Sequence, residues 1–274
     1  MHESAYACFR KADDYEKQAF LESAAAVSGA DGGKLLEGGV RHSGIEGTTN
    51  IGALGEHTLH LTFKYYFEPD KAYHEVRYGR YHADIMRDGE IIEIQTGAFA
   101  PLAKKLAILT DSVPVTVVHP IADEKRIVWI DPENGEMTGF RKSPAKESIY
   151  SVFRKVYSLR GLCSRKNISF LFPVISCEDY KLRCGRTHEG KCHGAKRLDR
   201  MPTELKGEYR FRDATEFIKL LPPQFETEEF TVKKLAESLR IDNRDAHSFA
   251  KVLCFCGCAE ICGKEGRADV YRVL

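Results

Sequence analysis

Largely apolar positions recur at intervals of three or four from Ile51 to about Phe67, and Pro69 follows them. That spacing predicts an amphipathic helix ended by the proline. Apolar and polar residues then alternate in "AYHEVRY", "YHADIM" and "EIIEIQT", which predicts three strands. The Asp88-Gly89 pair predicts a tight turn that joins the second strand to the third as a hairpin. "PLAKKLAIL" predicts a short helix after them.

The next apolar runs extend the same kind of structure. "PVTVVHPI", "KRIVWID" and "ISFLFPVI" predict buried strands, and "KESIYSVFRKVYSLRGL" predicts a helix before the last of them. The order is therefore helix, three strands, helix and strand, followed by further elements. It predicts an α/β fold in which helices flank a mixed sheet.

The pattern becomes helical again from about residue 213. "DATEFIKLL" is followed by "FTVKKLAESLRI", in which Thr231 can cap the helix, then by the turn "DNR" and by "DAHSFAKVLCFCG". The last residues predict two strands around a Gly-Lys-Glu-Gly-Arg tip. Helix, turn, helix and hairpin together predict a winged helix-turn-helix domain, with the second helix as the candidate reader of a DNA groove.

These patterns divide the chain into four parts. Residues 1–41 combine a helix-forming stretch with a glycine-rich one and are predicted to be an N-terminal appendage. Residues 42–176 form the α/β domain, and residues 213–274 form the C-terminal domain. Between them, residues 177–212 are polar, basic and punctuated by glycine, which predicts a surface excursion.

The net charge of +1 conceals a strong asymmetry along the chain. Residues 1–140 carry a net charge of −8, residues 141–212 of +11 and residues 213–274 of −2. A concentrated positive segment predicts a polyanionic partner, here nucleic acid, although a lysine-rich solvated surface is the simpler alternative. The candidate nucleic-acid-binding residues are Arg141, Lys142, Arg154, Lys155, Arg244, His247, Lys264 and Arg267.

Composition also predicts where the protein resides. The chain has no apolar run of the length that crosses a membrane, and its first residues lack a signal-peptide core. We therefore expect a cytoplasmic protein without a membrane partner. Its nine cysteines are then expected to be reduced thiols or metal ligands, since disulfides are rare in that compartment.

Asp84 and Glu93 are the residues that most strongly suggest chemistry. Side chains alternate between the two faces of a strand, so Glu93 and Gln95 share one face of the third strand. A hairpin would bring Asp84 of the neighbouring strand close to Glu93. Two carboxylates, with a main-chain carbonyl and waters, suit Mg²⁺ or Mn²⁺, and such an ion can activate water against a phosphodiester. The alternative is an amphipathic hairpin whose acids only face water.

Asp84, the "EIQ" run and the preceding helix with Gly55-Glu56 resemble the PD-(D/E)xK nuclease superfamily, which has the restriction-endonuclease-like fold. The resemblance implies that Glu56, Asp84 and Glu93 are the metal-binding acids of a DNA- or RNA-cutting site. It extends from about residue 45 to residue 130. The whole chain also resembles an uncharacterised bacterial family that pairs this core with a C-terminal winged helix.

Gln95 departs from the superfamily pattern, because it occupies the place of the usual lysine. Glutamine can hydrogen-bond a water molecule but supplies no positive charge at the phosphate. Some restriction enzymes of the superfamily work with glutamine there. Lys104 or Lys105, on the following predicted helix, could supply the missing charge.

Two cysteine-containing sets and one histidine remain. Cys177, Cys184, Cys192 and His193 could bind zinc, but their spacings lack the close pairs of ordinary zinc modules. Cys254, Cys256, Cys258 and Cys262 could hold an iron–sulfur cluster, as in some relatives of the fold, or pack as small apolar side chains. His119 ends a buried strand and is expected to be a hydrogen-bonded core residue.

The sequence therefore leaves three functions open. The first is a metal-dependent DNA endonuclease in genome defence, repair or mobile-element biology. The second is a catalytically inactive, nuclease-like regulator that binds DNA, and the third is an RNA-processing nuclease. A homodimer is also left open.

Overall fold

The computed structural model describes residues 3–36, 51–131, 136–183 and 195–274. The α-helices are α1 (Glu3–Cys8), α2 (Asp14–Leu36), α3 (Ile51–Phe67), α4 (Ala103–Leu109), α5 (Ile149–Val156), α6 (Val232–Leu239) and α7 (Asn243–Phe255). The strands are β1 (Phe9–Lys11), β2 (His74–Tyr78), β3 (Tyr81–Arg87), β4 (Glu90–Ile94), β5 (Val115–Val118), β6 (Ile121–Ile130), β7 (Met137–Lys142), β8 (Ile168–Arg183), β9 (Ala195–Phe211), β10 (Phe230–Thr231), β11 (Ala259–Glu265) and β12 (Ala268–Val273). Tyr157–Leu162 and Ala214–Leu220 form 3-10 helices.

Nine strands of the described chain form one mixed sheet, in the order β1-β9-β8-β5-β4-β3-β2, and β6 and β7 continue the sheet along the far half of β8. The strands β2, β3 and β4 are antiparallel, whereas β4–β5 and β5–β8 are parallel. Helices pack against this sheet, so the predicted α/β class with a mixed, helix-flanked sheet is confirmed. In the residues that the structure describes, no helix combines the length and apolar composition needed to cross a membrane.

The hairpin between β3 and β4 forms where the sequence predicts it. Asp88 and Gly89 both have positive φ angles, 51° and 81°, which is the backbone of a type I′ turn. Asparagine, aspartate and glycine tolerate such angles best, so the local sequence determines the turn. The strand pairing ends at Ile85–Ile92. Asp84 and Glu93 are therefore the next residues along, at the point where the two strands separate.

The two faces of β4 belong to two separate hydrophobic clusters. Ile91 packs in one cluster with α4 and α5, whereas Ile94 packs in the other with Phe20 and Phe63 of α2 and α3. Since neighbouring strand residues point to opposite faces, the sheet carries helices on both of its faces. Phe20 and Phe63 contact each other with ring centroids 5.2 Å apart.

The C-terminal residues form the predicted helix, turn, helix and hairpin. The Thr231 side chain caps α6, and the Asp242 carboxylate caps α7 by accepting two main-chain N–H groups. A second sheet, β10-β12-β11, closes the module. Phe249 of α7 lies against Phe153 of α5, with ring centroids 4.6 Å apart. One continuous hydrophobic cluster therefore joins this module to the large sheet.

The described N-terminal residues are packed into the fold and do not form the predicted appendage, because β1 is a strand of the large sheet and α2 packs against α3. β1 pairs with β9, and Phe20 of α2 is fully buried against α3. Gly207 permits this pairing, because a Cβ there would lie 2.3 Å from the carbonyl oxygen of Arg10. Composition alone could not reveal this pairing, since the partner strand lies some 200 residues away along the chain.

The predicted surface excursion at residues 177–212 is also corrected over its described part. β8 continues to Arg183 and pairs with β9, so both strands belong to the large sheet. Their polar residues are matched across the pair: Arg200 donates to both oxygens of Asp179, at 2.6 and 3.1 Å. Main-chain pairing does not require apolar side chains, and matched cross-strand charges stabilise a polar ladder.

Candidate functional site

A pocket of about 590 Å³ opens where β3 and β4 separate. Its walls come from β3, the end of β4 and the loop that follows it, with α3 on one side and α4 on the other. Its lining residues include His60, Asp84, Glu93, Gln95 and Lys105. The structure thus brings together four residues that the sequence predicted, and adds His60.

Asp84 is hydrogen-bonded to the neighbouring strand, β4, at the point where β3 and β4 separate. Its Oδ2 accepts the main-chain N–H of Ile94 at 2.7 Å, in the place of the interrupted strand pairing. The same oxygen lies 3.3 Å from Nε2 of His60 on α3. His60 was not predicted from the sequence. The available signal was its position four residues after Glu56 in a predicted helix, a spacing at which side chains share a face.

Glu93 is a buried carboxylate at the base of the pocket, with 2% of its surface exposed. Its Oε2 accepts a hydrogen bond from Nζ of Lys105 at 2.6 Å, while Oε1 is buried and has no hydrogen-bond partner. Burial and the neighbouring charge of Asp84 raise the pKa of Glu93 to about 7, and Lys105 opposes the rise. A buried oxygen without a partner is costly unless another group binds it.

Gln95 lies at the rim of the pocket and is connected to the protein interior by hydrogen bonds. Its side-chain amide donates to the carbonyl of Ala98 at 2.6 Å. The main-chain carbonyl of Gln95 accepts a hydrogen bond from Nδ1 of His119. Nε2 of the same histidine lies 2.7 Å from Nζ of Lys155. Burial, together with the charge of Lys155, lowers the pKa of His119 to about 4. His119 is therefore a neutral, hydrogen-bonded core residue, as predicted.

Lys104 is a predicted site residue that the structure separates from this arrangement. Lys104 is exposed to solvent on α4, whereas the adjacent Lys105 points at Glu93. Glu56 lies in α3, but its side chain is outside the described part of the structure. Within the described residues, no group of three or more His, Cys, Asp or Glu side chains is arranged to hold a metal ion.

A family model described as a domain of unknown function, DUF8091, matches residues 57–212, more than half of the chain. The chain belongs to the DUF8091 family. The DUF8091 segment includes His60, Asp84, Glu93, Gln95 and Lys105, and it ends before the C-terminal helices. The pocket is therefore built by the part of the chain that the family shares.

A second comparison finds a relative in Treponema pallidum (strain Nichols), described as an uncharacterized protein. It is 30% identical over 166 residues, which are 60% of this chain and 64% of the relative. The chain thus spans less than two thirds of that protein's length. No solved structure matches the chain.

Two of the predicted nucleic-acid contacts in the DUF8091 segment have partners within the protein. Arg154 of α5 pairs with Asp242 at 2.6 Å and with Asp245, both at the start of α7. Lys155 is directed at His119, and burial lowers the pKa of Lys155. Their partners lie far away in the sequence, so their basic character alone suggested surface contacts.

The remaining predicted contacts are exposed and lie in two places. Arg141 and Lys142 are on the edge strand β7 of the DUF8091 segment, where Lys142 lies 3.5 Å from Glu124. Arg244, His247 and Arg267 line a groove of about 760 Å³ between the start of α7 and the β11–β12 hairpin. Lys264 is exposed on the same hairpin.

Arg154→Gln is expected to lower the free energy of unfolding by about 1–2 kcal/mol, because it leaves the buried Asp245 without its charged partner. The exposed half of the Arg154 side chain limits the effect. Urea unfolding monitored by circular dichroism measures it. Lys234→Gln is the matched control, since its pair with Glu265 at 3.9 Å is exposed on both sides. Equal losses in the two variants would contradict the expectation.

The cysteines that the structure describes are free thiols, some buried and others half-buried. Cys177 is buried on β8, and burial raises its pKa to about 12, which disfavours the thiolate a zinc ion needs. The other members of the predicted zinc set, Cys184, Cys192 and His193, lie outside the described residues. Cys258 and Cys262 donate to the main-chain carbonyls of Thr215 and Val270. In the described chain the C-terminal cysteines do not converge on one point.

Proposed function

We propose that this DUF8091 protein is a metal-dependent phosphodiesterase that acts on DNA. The observation that carries the proposal is the set of Asp84, Glu93 and Lys105 in one pocket at the point where two strands separate. A pair of carboxylates can hold a divalent cation, and the lysine can stabilise negative charge on a phosphate. The pocket is open, so an extended polymer can reach it.

The order of elements supports a restriction-endonuclease-like core. A helix precedes three antiparallel strands, and α4 leads to β5, which runs parallel to β4. The candidate acids come from the second and third of these strands, as the sequence resemblance implies. The C-terminal order of β10, α6, α7 and the β11–β12 hairpin likewise supports a winged helix-turn-helix, with α7 as its candidate DNA-reading helix.

The donor set fits a hard divalent cation such as Mg²⁺ or Mn²⁺. Asp84 and Glu93 would supply carboxylate oxygens, with Oε1 of Glu93 as a buried oxygen that lacks a partner. Bound there, the cation would polarise the phosphate and lower the pKa of the attacking water. Glu93 must be ionised to bind it, so its raised pKa predicts tighter binding as the pH rises through about 7.

The protein's own side chains would orient the reactants. The amide nitrogen of Gln95 donates a hydrogen bond to the carbonyl of Ala98. Its amide oxygen can therefore accept a hydrogen bond from a water molecule. Lys105 would shift its contact from Glu93 to a phosphate oxygen and contribute the charge that Gln95 lacks. Nε2 of His60 lies 3.3 Å from Oδ2 of Asp84 and, when protonated, would orient that carboxylate from the helix side.

Adding Mg²⁺ or Mn²⁺ at about ten times its dissociation constant is expected to raise the melting temperature by about 3 °C, because a ligand that binds only the folded state stabilises it. Asp84→Asn should abolish the rise. Glu90→Gln is the control, since it removes an exposed carboxylate from the same hairpin. Differential scanning fluorimetry measures the shift. An unchanged rise in Asp84→Asn would contradict the metal assignment.

A second candidate, a catalytically inactive DNA-binding regulator, is favoured by one observation. Glu93 already pairs with Lys105, and in the described residues no third His, Cys, Asp or Glu completes a metal-binding group. Cleavage assays on supercoiled, linear, branched and single-stranded DNA and on RNA, each with Mg²⁺ and with Mn²⁺, distinguish the two. Salt-dependent DNA binding without cutting would favour the regulator, and cutting of RNA alone would favour an RNA-processing nuclease.

A further inference from the structure

The far half of the sheet carries a tryptophan among cations. In this region β7, β6, β8 and β9 lie side by side. One cross-strand row contains Arg141, Ile127, Asp179 and Arg200, and the next contains Trp129, Lys181 and Arg197. Residues opposite each other in paired strands share a face, and so do residues two apart along a strand. The two rows therefore belong to one face, which we call the Trp129 face.

The charge on the Trp129 face is unbalanced. The face holds two described acids: Asp179, which is buried and neutralised by the two hydrogen bonds from Arg200, and Asp131, two residues beyond Trp129, where the β6–β7 pairing continues. Arg141 and Arg197 are exposed and Lys181 is half-buried, and none of the three forms an ion pair with another residue that the structure describes. Three positively charged side chains thus lie in the same two rows as the half-buried indole ring. A surface of this composition suits a polyanion that also presents flat, apolar groups.

Neither the pocket nor the α7 groove uses these residues. The basic segment recognised from the sequence contributes Arg141, Lys181 and Arg197, but the structure adds Trp129, which precedes that segment in the chain. Trp129 is also the chain's single tryptophan.

We propose that the Trp129 face binds single-stranded nucleic acid, with a base stacked on Trp129 and the backbone phosphates contacted by Arg141, Lys181 and Arg197. Stacking requires an accessible base face, which a duplex hides inside its own stack. The three basic side chains would contact the backbone phosphates whatever the base sequence of the strand. As a statement about substrate the inference rests on the proposed function, but the binding itself is tested independently of cleavage.

The experiment measures binding of labelled oligonucleotides about 20 nucleotides long, a length that spans typical single-strand sites. Poly(dT), poly(U) and a DNA duplex of similar length are titrated in EDTA, so that no cation-dependent chemistry takes part. Fluorescence anisotropy gives the affinity. The intrinsic fluorescence of Trp129 reports directly on the face, and we expect the single strands to quench it. The DNA and RNA arms distinguish the two possible sources of the strand.

Trp129→Leu should weaken single-strand binding about 10-fold, the scale of one lost stacking contact, whereas Trp129→Phe should retain most of the affinity. The triple Arg141→Gln, Lys181→Gln and Arg197→Gln variant should lower the slope of log affinity against log salt by about 2, since about 0.7 is lost per phosphate contact. A control triple changes three exposed cations elsewhere, Lys71, Arg80 and Arg160, to glutamine and should leave the slope unchanged.

The outcomes separate this inference from the nuclease proposal. Single-strand binding is measured in EDTA and is read at Trp129, so loss of cleavage in Asp84→Asn leaves the inference intact. Absence of Trp129 quenching in the wild type, or equal affinity for the duplex, would overturn it even if Trp129→Leu fails to fold. It would also be overturned if Trp129→Leu changed only the oligomeric state in sedimentation, because the face would then be a protein interface.

Discussion

Replacing Glu93 by glutamine is expected to remove Mg²⁺-dependent cleavage of DNA. Glutamine keeps the size of the side chain and can still accept the hydrogen bond from Lys105, but it removes the charge that would hold the cation. The loss should therefore be seen in the rate with little change in folding, and Glu93→Ala should also abolish cleavage. Single-turnover cleavage of supercoiled DNA, with circular dichroism as the folding check, measures it.

The two adjacent lysines of α4 provide the matched control for this prediction. Lys105→Ala should slow cleavage by at least about 10²-fold, the scale of losing one charged group at the reacting phosphate, while the exposed Lys104→Ala should stay near the wild-type rate. Gln95→Ala should cost about 10²-fold, and Gln95→Lys should keep or raise activity. If the Glu93→Gln variant still cleaved DNA, the catalytic site would have to lie in another part of the molecule.

Acidification from pH 6.5 to pH 4 is expected to remove about 3 kcal/mol of folding stability through His119 alone. The buried ring has a pKa of about 4 in the folded protein against 6.5 when unfolded, so the unfolded chain binds more protons between these values. Stability from this group is therefore full above pH 6.5 and is lost as the pH falls towards 4.

Comparison with His119→Gln isolates this contribution, because carboxylates titrate in the same range in both proteins. Urea unfolding at half-unit pH steps should give a wild-type curve that falls more steeply than that of the variant. The variant will be less stable at neutral pH. The two proteins are therefore compared by the slope of the free energy of unfolding against pH. Parallel curves would mean that His119 is already protonated in the folded protein.

The sequence predicted features that arise from neighbouring residues. The Asp88-Gly89 turn follows from the preferences of two adjacent residues, and strand alternation then brings Asp84 and Glu93 to the same place. The helix-turn-helix-hairpin order was predicted for the same reason. His119 was correctly expected to be a core residue, since it closes a strongly apolar strand.

The sequence could not predict contacts between distant parts of the chain. Arg154 is held by carboxylates 88 and 91 residues away, so its basic neighbourhood suggested a phosphate ligand instead. Polar composition likewise hid β9, whose charges are matched on the partner strand. The choice between Lys104 and Lys105 depends on which side of α4 faces the pocket.

The N-terminal and C-terminal additions complete the hydrophobic interior that the family segment begins. Phe20 covers Phe63 on one side of the sheet, while Phe217 sits among Phe153 and Phe211 on the other. A polypeptide cut to residues 57–212 would therefore expose aromatic rings on both sides. In this chain the DUF8091 segment therefore shares its hydrophobic interior with the residues on both sides of it, and we expect the segment to be unstable without them.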